Sequence, residues 1–457
     1  MPKVINPATG ECVRDVSWHT AQEIEHKLAA ARSAFEQWRG YSFEQRGECL
    51  KAVAQQLRSD VNRHAALMTE EMGKPVREAR GEVEKTASCC EHYADHAEAY
   101  LASETIASDA TRSWVQYLPL GTVLGILPWN SPYWLAARVF TPALMAGNSV
   151  LIKHDVHVPG CALAIEDVFR KAGAPEGLLQ TLVIDNEVTG NVLRDRRVQA
   201  VSFTGSTRGG RVVAAIAGEQ IKPAVLELGG SDPAVVLADA DIEKAVDTIA
   251  TSRFICAGQS CIAAKRILVE QPIYDEFLRT FQTRLEGLKV GDPTSTDTDI
   301  GPLARTDLRE QLHRQVSGSI TAGARCVLGG ELPAGPGSFY PVTLLADVPL
   351  DAPAFTEETF GPVAALAAVK DAEHALAIAN DTDYGLAASV WTTAERGEAL
   401  AKRLEAGQVA VNGIVKTDPR LPSGGIKTSG YGRELGPHGI RQFVNAQQVW
   451  LGPKKNT

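Results

Sequence analysis

Thr122-Val-Leu-Gly-Ile-Leu127 reads as a short apolar strand; a helix opens at about Tyr133 and a second strand follows at Ser149-Val-Leu-Ile-Lys153. The alternation continues downstream. A helical pattern covers about 160–172, then Leu179-Gln-Thr-Leu-Val-Ile184, a helix near 187–194, and Ala200-Val-Ser-Phe203. Strands alternating with helices predict a parallel, doubly wound sheet. Such sheets take their ligands outside the carboxyl ends of the strands, at the topological switch point.

Upstream, residues 1–100 read as mostly helical. Thr20 can cap the run Ala21–Trp38, whose apolar residues recur at helical spacing, and Gly40 ends it. Similar patterns cover about 43–59 and 62–72, where Gly73-Lys-Pro75 intervenes. A charged, Ala-rich helix is expected from about 76 to 102, with Cys89-Cys90 packed inside it. Arg112-Ser-Trp-Val-Gln-Tyr-Leu118 alternates like an exposed strand. Downstream, a second α/β set begins after Gly229-Gly230 with Pro233-Ala-Val-Val-Leu237 and runs to about 425. The last segment, Arg441–Leu451, alternates weakly and is expected to pair with 112–118. Two exposed strands at a surface invite subunit contacts.

A chain of 457 residues is too long for one ordinary core and predicts two or three domains. The net charge of −9 offers no basic footprint for nucleic acid. No apolar run reaches the roughly 20 residues that span a bilayer, and the N-terminus lacks a signal-peptide core. The 8 cysteines show no paired zinc spacing and are sparse for this length, which points to free thiols in a reducing cytoplasm.

The chemistry concentrates in Phe254-Ile-Cys-Ala-Gly-Gln-Ser-Cys-Ile-Ala-Ala-Lys265, a Gly- and Ser-containing loop between a helical run and the strand-like Arg266–Glu270. Cys261 there is a nucleophile if its surroundings make it a thiolate, and otherwise a small buried residue. Phe203-Thr-Gly-Ser-Thr-Arg-Gly-Gly210 follows a strand and opens a helix. That is the setting for an anion at a helix N-terminus, or for an ordinary strand–helix turn. Glu227 closes the apolar run Val225-Leu-Glu-Leu-Gly-Gly230; burial would raise its pKa and suit it to a base, or it is a satisfied buried carboxylate. Asn130, in Leu127-Pro-Trp-Asn-Ser-Pro132, is either an oxyanion donor or a turn residue between prolines.

Pro-Trp-Asn at 128–130, Phe-Thr-Gly-Ser at 203–206, Glu-Leu-Gly-Gly at 227–230, Gly-Gln-Ser-Cys at 258–261, Glu-Glu-Thr-Phe-Gly-Pro at 357–362 and Gly-Gly-Ile-Lys-Thr-Ser-Gly-Tyr-Gly-Arg-Glu at 424–434 together resemble the motif set of the NAD(P)-dependent aldehyde dehydrogenase superfamily. They stand in family order over nearly the whole chain. The resemblance implies an α/β fold with a Rossmann-like cofactor domain (1–102 and 120–229), an α/β catalytic domain (230–425) and a small β oligomerisation element (103–119 and 437–457). It makes Cys261 the nucleophile, Asn130 with the Cys261 N–H the oxyanion donors, and Glu227 the base that activates water against a thioester. It places Trp129, Lys153, Val156, Gly205, Ser206, Glu358 and Phe360 on the cofactor. Many NAD-preferring members carry Glu three residues after the lysine. Val156 stands there instead and removes a repulsion against a 2′-phosphate, so the expected cofactor is NAD(P), leaning towards NADP. Asp155 beside it offers an alternative ribose partner.

Within the family the chain is similar to short bacterial succinate-semialdehyde dehydrogenases. The resemblance there rests on Trp134 and Arg138 after Asn130, Lys153-His154, Val158-Pro-Gly-Cys-Ala-Leu163 and Cys-Ile-Ala-Ala-Lys-Arg at 261–266. It implies that Arg138, one helical turn beyond Trp134, grips the substrate's distal carboxylate; a surface arginine is the alternative. Ile255 replaces a second arginine found in some of those enzymes and would equally suit an aromatic aldehyde. Thr417 can offer a hydroxyl to an acid group, and Arg420 can add charge. Cys256 could close a reversible disulfide with Cys261 or simply pack. The reading is therefore a cytoplasmic homodimer or homotetramer that oxidises a small anionic semialdehyde, against an aromatic aldehyde dehydrogenase and, from another class, a cofactor-free cysteine esterase.

Overall fold

The computed structural model describes residues 3–452; Met1, Pro2 and 453–457, the last of which close the expected oligomerisation element, lie outside the described residues. Four helices open the chain after a two-stranded hairpin: Ala21–Trp38, Phe43–Ser59, Val61–Met72 and Val76–Tyr100. Thr20 and Ser42 start the first two with reciprocal capping boxes, which satisfy N–H groups that the helix itself leaves orphaned.

The first α/β set builds a sheet in the spatial order Ala224–Glu227, Val198–Thr204, Thr122–Leu127, Ser149–His154 and Leu179–Thr181, all parallel. The two-residue strand Gly430–Tyr431 adds an antiparallel edge beside Glu227. Leu179–Thr181 is shorter than the sequence suggests, because it is an edge strand and its ladder to Ser149–His154 ends at Thr181. Thr122–Leu127, the first of these strands in chain order, lies in the middle, and its neighbours lead away in opposite directions. The switch point therefore falls between Thr122–Leu127 and Val198–Thr204, and the loops leaving these strands carry Trp129-Asn130 and Gly205-Ser206.

Between these loops and the N-terminal helices lies Pro132–Met145, buried along its whole length. A helix apolar on every side belongs in a core, which is why the one charge on it, Arg138, must find partners inside the protein. The second set builds a seven-stranded sheet in the order Arg325–Leu328, Thr343–Ala346, Val363–Val369, Ala264–Glu270, Asp232–Val236, Ala387–Trp391, Gln408–Val411. All its pairs are parallel except the first. Val444–Leu451 pairs antiparallel with Arg112–Pro119 over eight residues, and Glu104–Thr105 adds a third strand. Trp450 and Leu451 on the outer strand are exposed.

Candidate active site

The helix Ile242–Phe254 leads into a 3-10 turn, Ile255–Gly258, and the chain then bends through Cys261 to the strand Ala264–Glu270. Cys256 (φ 55°) and Ala257 (φ 53°) both hold the left-handed conformation, at a cost of about 1–3 kcal/mol each for residues other than glycine. The surroundings fix this bend. The Glu78 carboxylate accepts from the Cys256 N–H at 2.8 Å, and the Cys256 thiol donates to the Asn130 carbonyl at 3.5 Å. The Gln259 side chain donates to the Cys256 carbonyl, and the Gln259 carbonyl accepts from Asn130 Nδ2 at 2.9 Å. Gly258 has no room for a side chain, since a Cβ would sit 2.2 Å from the Gly361 carbonyl oxygen. The buried Arg253 guanidinium donates to the carbonyls of Val363, Gly258, Thr359 and Gly361. Lys265 Nζ, fully buried, donates to the carbonyls of Ser260 and Cys261.

Two cavities meet at this loop. One, of about 530 Å³, is a groove bounded by Trp129, Asn130, Gly205, Ser206, Glu227, Cys261, Glu358 and Phe360. The Trp129 and Phe360 rings stand nearly perpendicular, 5.8 Å apart. Ser206 caps the helix Thr207–Glu219, accepting from the Gly209 N–H at 3.2 Å; the helix N-terminus faces the groove, a favourable place for a phosphate. A Cβ on Gly229 would lie 2.5 Å from Glu358 Oε2, so glycine lets that carboxylate approach the backbone. These residues fit a dinucleotide lying across the switch point. Lys153 and Val156 do not line this groove. Lys153 is next to last in the adjacent strand and donates to Asn186 Oδ1 at 3.3 Å; burial lowers its pKa, and Asp155 and Asp185 oppose that fall. Val156 borders a small separate cavity with Trp18, His154 and Asp155. The Asp155 carboxylate is held by the His157 ring at 2.5 Å and its N–H at 3.0 Å.

The second cavity, about 390 Å³, is bounded by Asn130, Cys261, Trp134, Arg138, Ile255 and Thr417, together with Lys85. Cys261 and Asn130 thus line both cavities. Asn130 spends one of its two N–H donors on Gln259 and keeps the other. No acceptor among the described residues takes the Cys261 N–H. Burial pushes the Cys261 thiol up to about 11, while Arg138 and Lys265 pull it back down. Burial likewise lifts the Glu227 carboxyl to about 7, with Arg138 opposing and Glu434 adding to the rise. Glu227 Oε1 is buried and without a hydrogen-bond partner among the described residues.

Arg138 borders the substrate-side cavity, and part of its guanidinium is engaged by the protein. Nη2 donates to Glu227 Oε2 at 3.0 Å and to Ser423 Oγ at 3.1 Å, and Nε pairs with Glu434. Its Nη1 has no acceptor among the described residues, so that end of the guanidinium is left for a ligand. Arg420 is likewise bound up with Asp418.

The site also depends on residues outside every motif. Glu78, Glu82 and Lys85 recur at i, i+4 and i+7 on one helix, so they share a face, and that face lines a cavity. Glu82 accepts the N–H groups of Tyr133 and Trp134 and pairs with Lys74. Nothing in a single sequence links Arg138 to Glu434.

Comparison with known proteins places this geometry. The model of the aldehyde dehydrogenase family matches residues 2–449. A probable NADP succinate-semialdehyde dehydrogenase of Synechocystis is 48% identical, over 98% of this chain and 99% of its own. The NAD(P) succinate-semialdehyde dehydrogenase Sad of Escherichia coli is 45% identical, over 98% and 97%. Among solved structures, succinic semialdehyde dehydrogenase from Streptococcus pyogenes with NADP superposes with a TM-score of 0.97 at 34% identity, covering 99% of this chain and 100% of that one. Lactaldehyde dehydrogenase from Escherichia coli superposes at 0.95 with 33% identity, over 99% and 95%.

Proposed function

The chain belongs to the aldehyde dehydrogenase family, and we propose that it oxidises succinate semialdehyde, or a small semialdehyde of the same charge, to the dicarboxylic acid with NADP as the favoured acceptor. The observation that carries the reaction is the wall shared by the two cavities. The Cys261 sulfur can meet an aldehyde from one side and a dinucleotide from the other. The substrate assignment is supported by relatives named for succinate semialdehyde along the full chain and by a cationic side chain in the substrate-side cavity.

The steps follow from the residues. Cys261 gives up its thiol proton to solvent, and its sulfur attacks the aldehyde carbon. The spare N–H of Asn130 and the N–H of Cys261 receive the oxyanion of the thiohemiacetal. NADP, when bound, supplies the hydride acceptor. The resulting thioester on Cys261 is cleaved by a water whose proton passes to Glu227. A carboxyl raised to about 7 can both take and release that proton near neutrality. The unpartnered Oε1 is the atom placed to accept it. Glu358 and Phe360 would hold the nicotinamide end, and Gly205 and Ser206 the pyrophosphate. Lys153 would face the adenosine ribose, with no carboxylate at Val156 to repel a 2′-phosphate.

The division into a cofactor domain over 1–102 and 120–229, a catalytic domain over 230–425 and an oligomerisation element accompanies this reading. The exposed outer strand Val444–Leu451 is its proposed subunit contact. A panel of aldehydes with NAD and with NADP, followed by reduced-nicotinamide absorbance, tests the assignment. The semialdehyde should lead and aromatic aldehydes trail. Hydrolysis of an activated ester with no need of NADP, and no aldehyde oxidation, would support the esterase reading instead.

A further inference from the structure

Lys85 is a cation without a counterion among the described residues, in a cavity beside the nucleophile. It lies on the helix Val76–Tyr100, and its Nζ stands 4.0 Å from the centroid of the Trp134 ring. Nζ donates to Thr417 Oγ1 at 3.0 Å, and Trp134 Nε1 donates to the same oxygen at 2.9 Å. Two donors occupy both lone pairs of that hydroxyl, so its own proton must point elsewhere. No acceptor among the described residues takes it.

The nearby carboxylates are spent. Glu82 binds Lys74 and the start of the helix Pro132–Met145, and Asp418 is held by Arg420. Of the other cations on this cavity, Lys74 is held by Glu82, Arg138 gives Nη2 and Nε to Glu227 and Glu434, and Lys416 is exposed. Lys85 therefore carries a positive charge that burial disfavours and that no described residue pairs. An anion in the cavity would meet the spare ammonium donors and the free Thr417 proton together.

We propose that Lys85, braced by Thr417 on the face of Trp134, is the seat of the substrate's distal carboxylate. This rests on the semialdehyde reading and names the residue that reads the charge. Arg138 borders the same cavity and, through Nη2, also positions Glu227. The ligands the cavity selects are short aldehydes ending in a carboxylate.

The test uses the full-length enzyme with NADP, the variants Lys85→Met and Lys85→Arg, and two substrates of similar length, succinate semialdehyde and butanal. Lys85→Met should raise KM for succinate semialdehyde roughly tenfold or more, the effect of one charged hydrogen bond. Its kcat should change little, and butanal oxidation should be unaffected. Lys85→Arg should restore most of the affinity. Calorimetry with succinate should show the same loss of binding in Lys85→Met. A preserved KM, or an equal loss on both substrates, would overturn the proposal while leaving the semialdehyde assignment intact. A wild-type enzyme that does not prefer the anionic substrate would overturn both. If Lys85→Met does not fold, Thr417→Val serves: a rise in KM confined to the anionic substrate supports the seat, and none overturns it.

Discussion

The two cavities that share Cys261 are built in different ways. The dinucleotide groove is laid out by backbone features: strand ends at a switch point, glycines that admit close approach, and the N-terminus of Thr207–Glu219. The aldehyde cavity is made of side chains from segments far apart in the chain: Lys85, Trp134, Arg138, Ile255 and Thr417. Backbone sites tolerate little variation: a Cβ at Gly258 would run into the Gly361 carbonyl, and one at Gly229 would push the Glu358 carboxylate out of its place. A side-chain site can exchange one charge for another without disturbing the fold. The first is suited to a constant cofactor and the second to a substrate that differs between relatives.

The largest expected break in this comparison comes at the shared wall. Glu227→Gln should lower kcat by roughly 10²–10⁴-fold, the usual contribution of a positioned base. The acyl-enzyme should accumulate, seen as a burst of reduced nicotinamide followed by slow turnover. In the wild type the carboxylate is the active form. Burial raises its pKa, so the deacylation rate should climb as pH rises through about 7 and fall away below it. A profile flat from pH 5 to 8 would remove Glu227 from the step; those bounds are roughly the neutral range in which a raised carboxyl titrates.

Arg138→Ala comes next. It leaves Glu227 and Glu434 buried without their cation, a loss of about 3–5 kcal/mol in stability, readable as a lower melting temperature. Turnover of anionic and neutral aldehydes should suffer alike. A loss restricted to the anionic substrate would instead make Arg138 the carboxylate ligand. On the cofactor side, Lys153→Met should weaken NADP relative to NAD by roughly tenfold, one charged hydrogen bond. Steady-state kinetics with both cofactors check this, and an unchanged ratio would assign the 2′-phosphate to other residues.

Much of the groove is legible in the amino-acid sequence. Short strands, their following turns and the Gly-Gln-Ser-Cys loop are local patterns, and local patterns survive in one dimension. The aldehyde cavity is legible only in outline. The spacing of Trp134 and Arg138 puts both on the cavity, but the partners that occupy Arg138 come from residues 227, 423 and 434. Such a pairing across almost 300 positions leaves no mark on spacing. Lys85 is hidden differently: charges on an Ala-rich helix look solvated until the helix is seen to turn that face inwards. The strained turn at Cys256 and Ala257 has no sequence mark either, since neither residue favours φ > 0.

The most direct test is the mass of the Glu227→Gln enzyme after mixing with succinate semialdehyde and NADP. The account predicts one added succinyl group, found on the peptide that contains Cys261, and none when NADP is omitted or Cys261 is replaced by alanine. Oxidation without a modified Cys261, or a succinyl group on another residue, would contradict it.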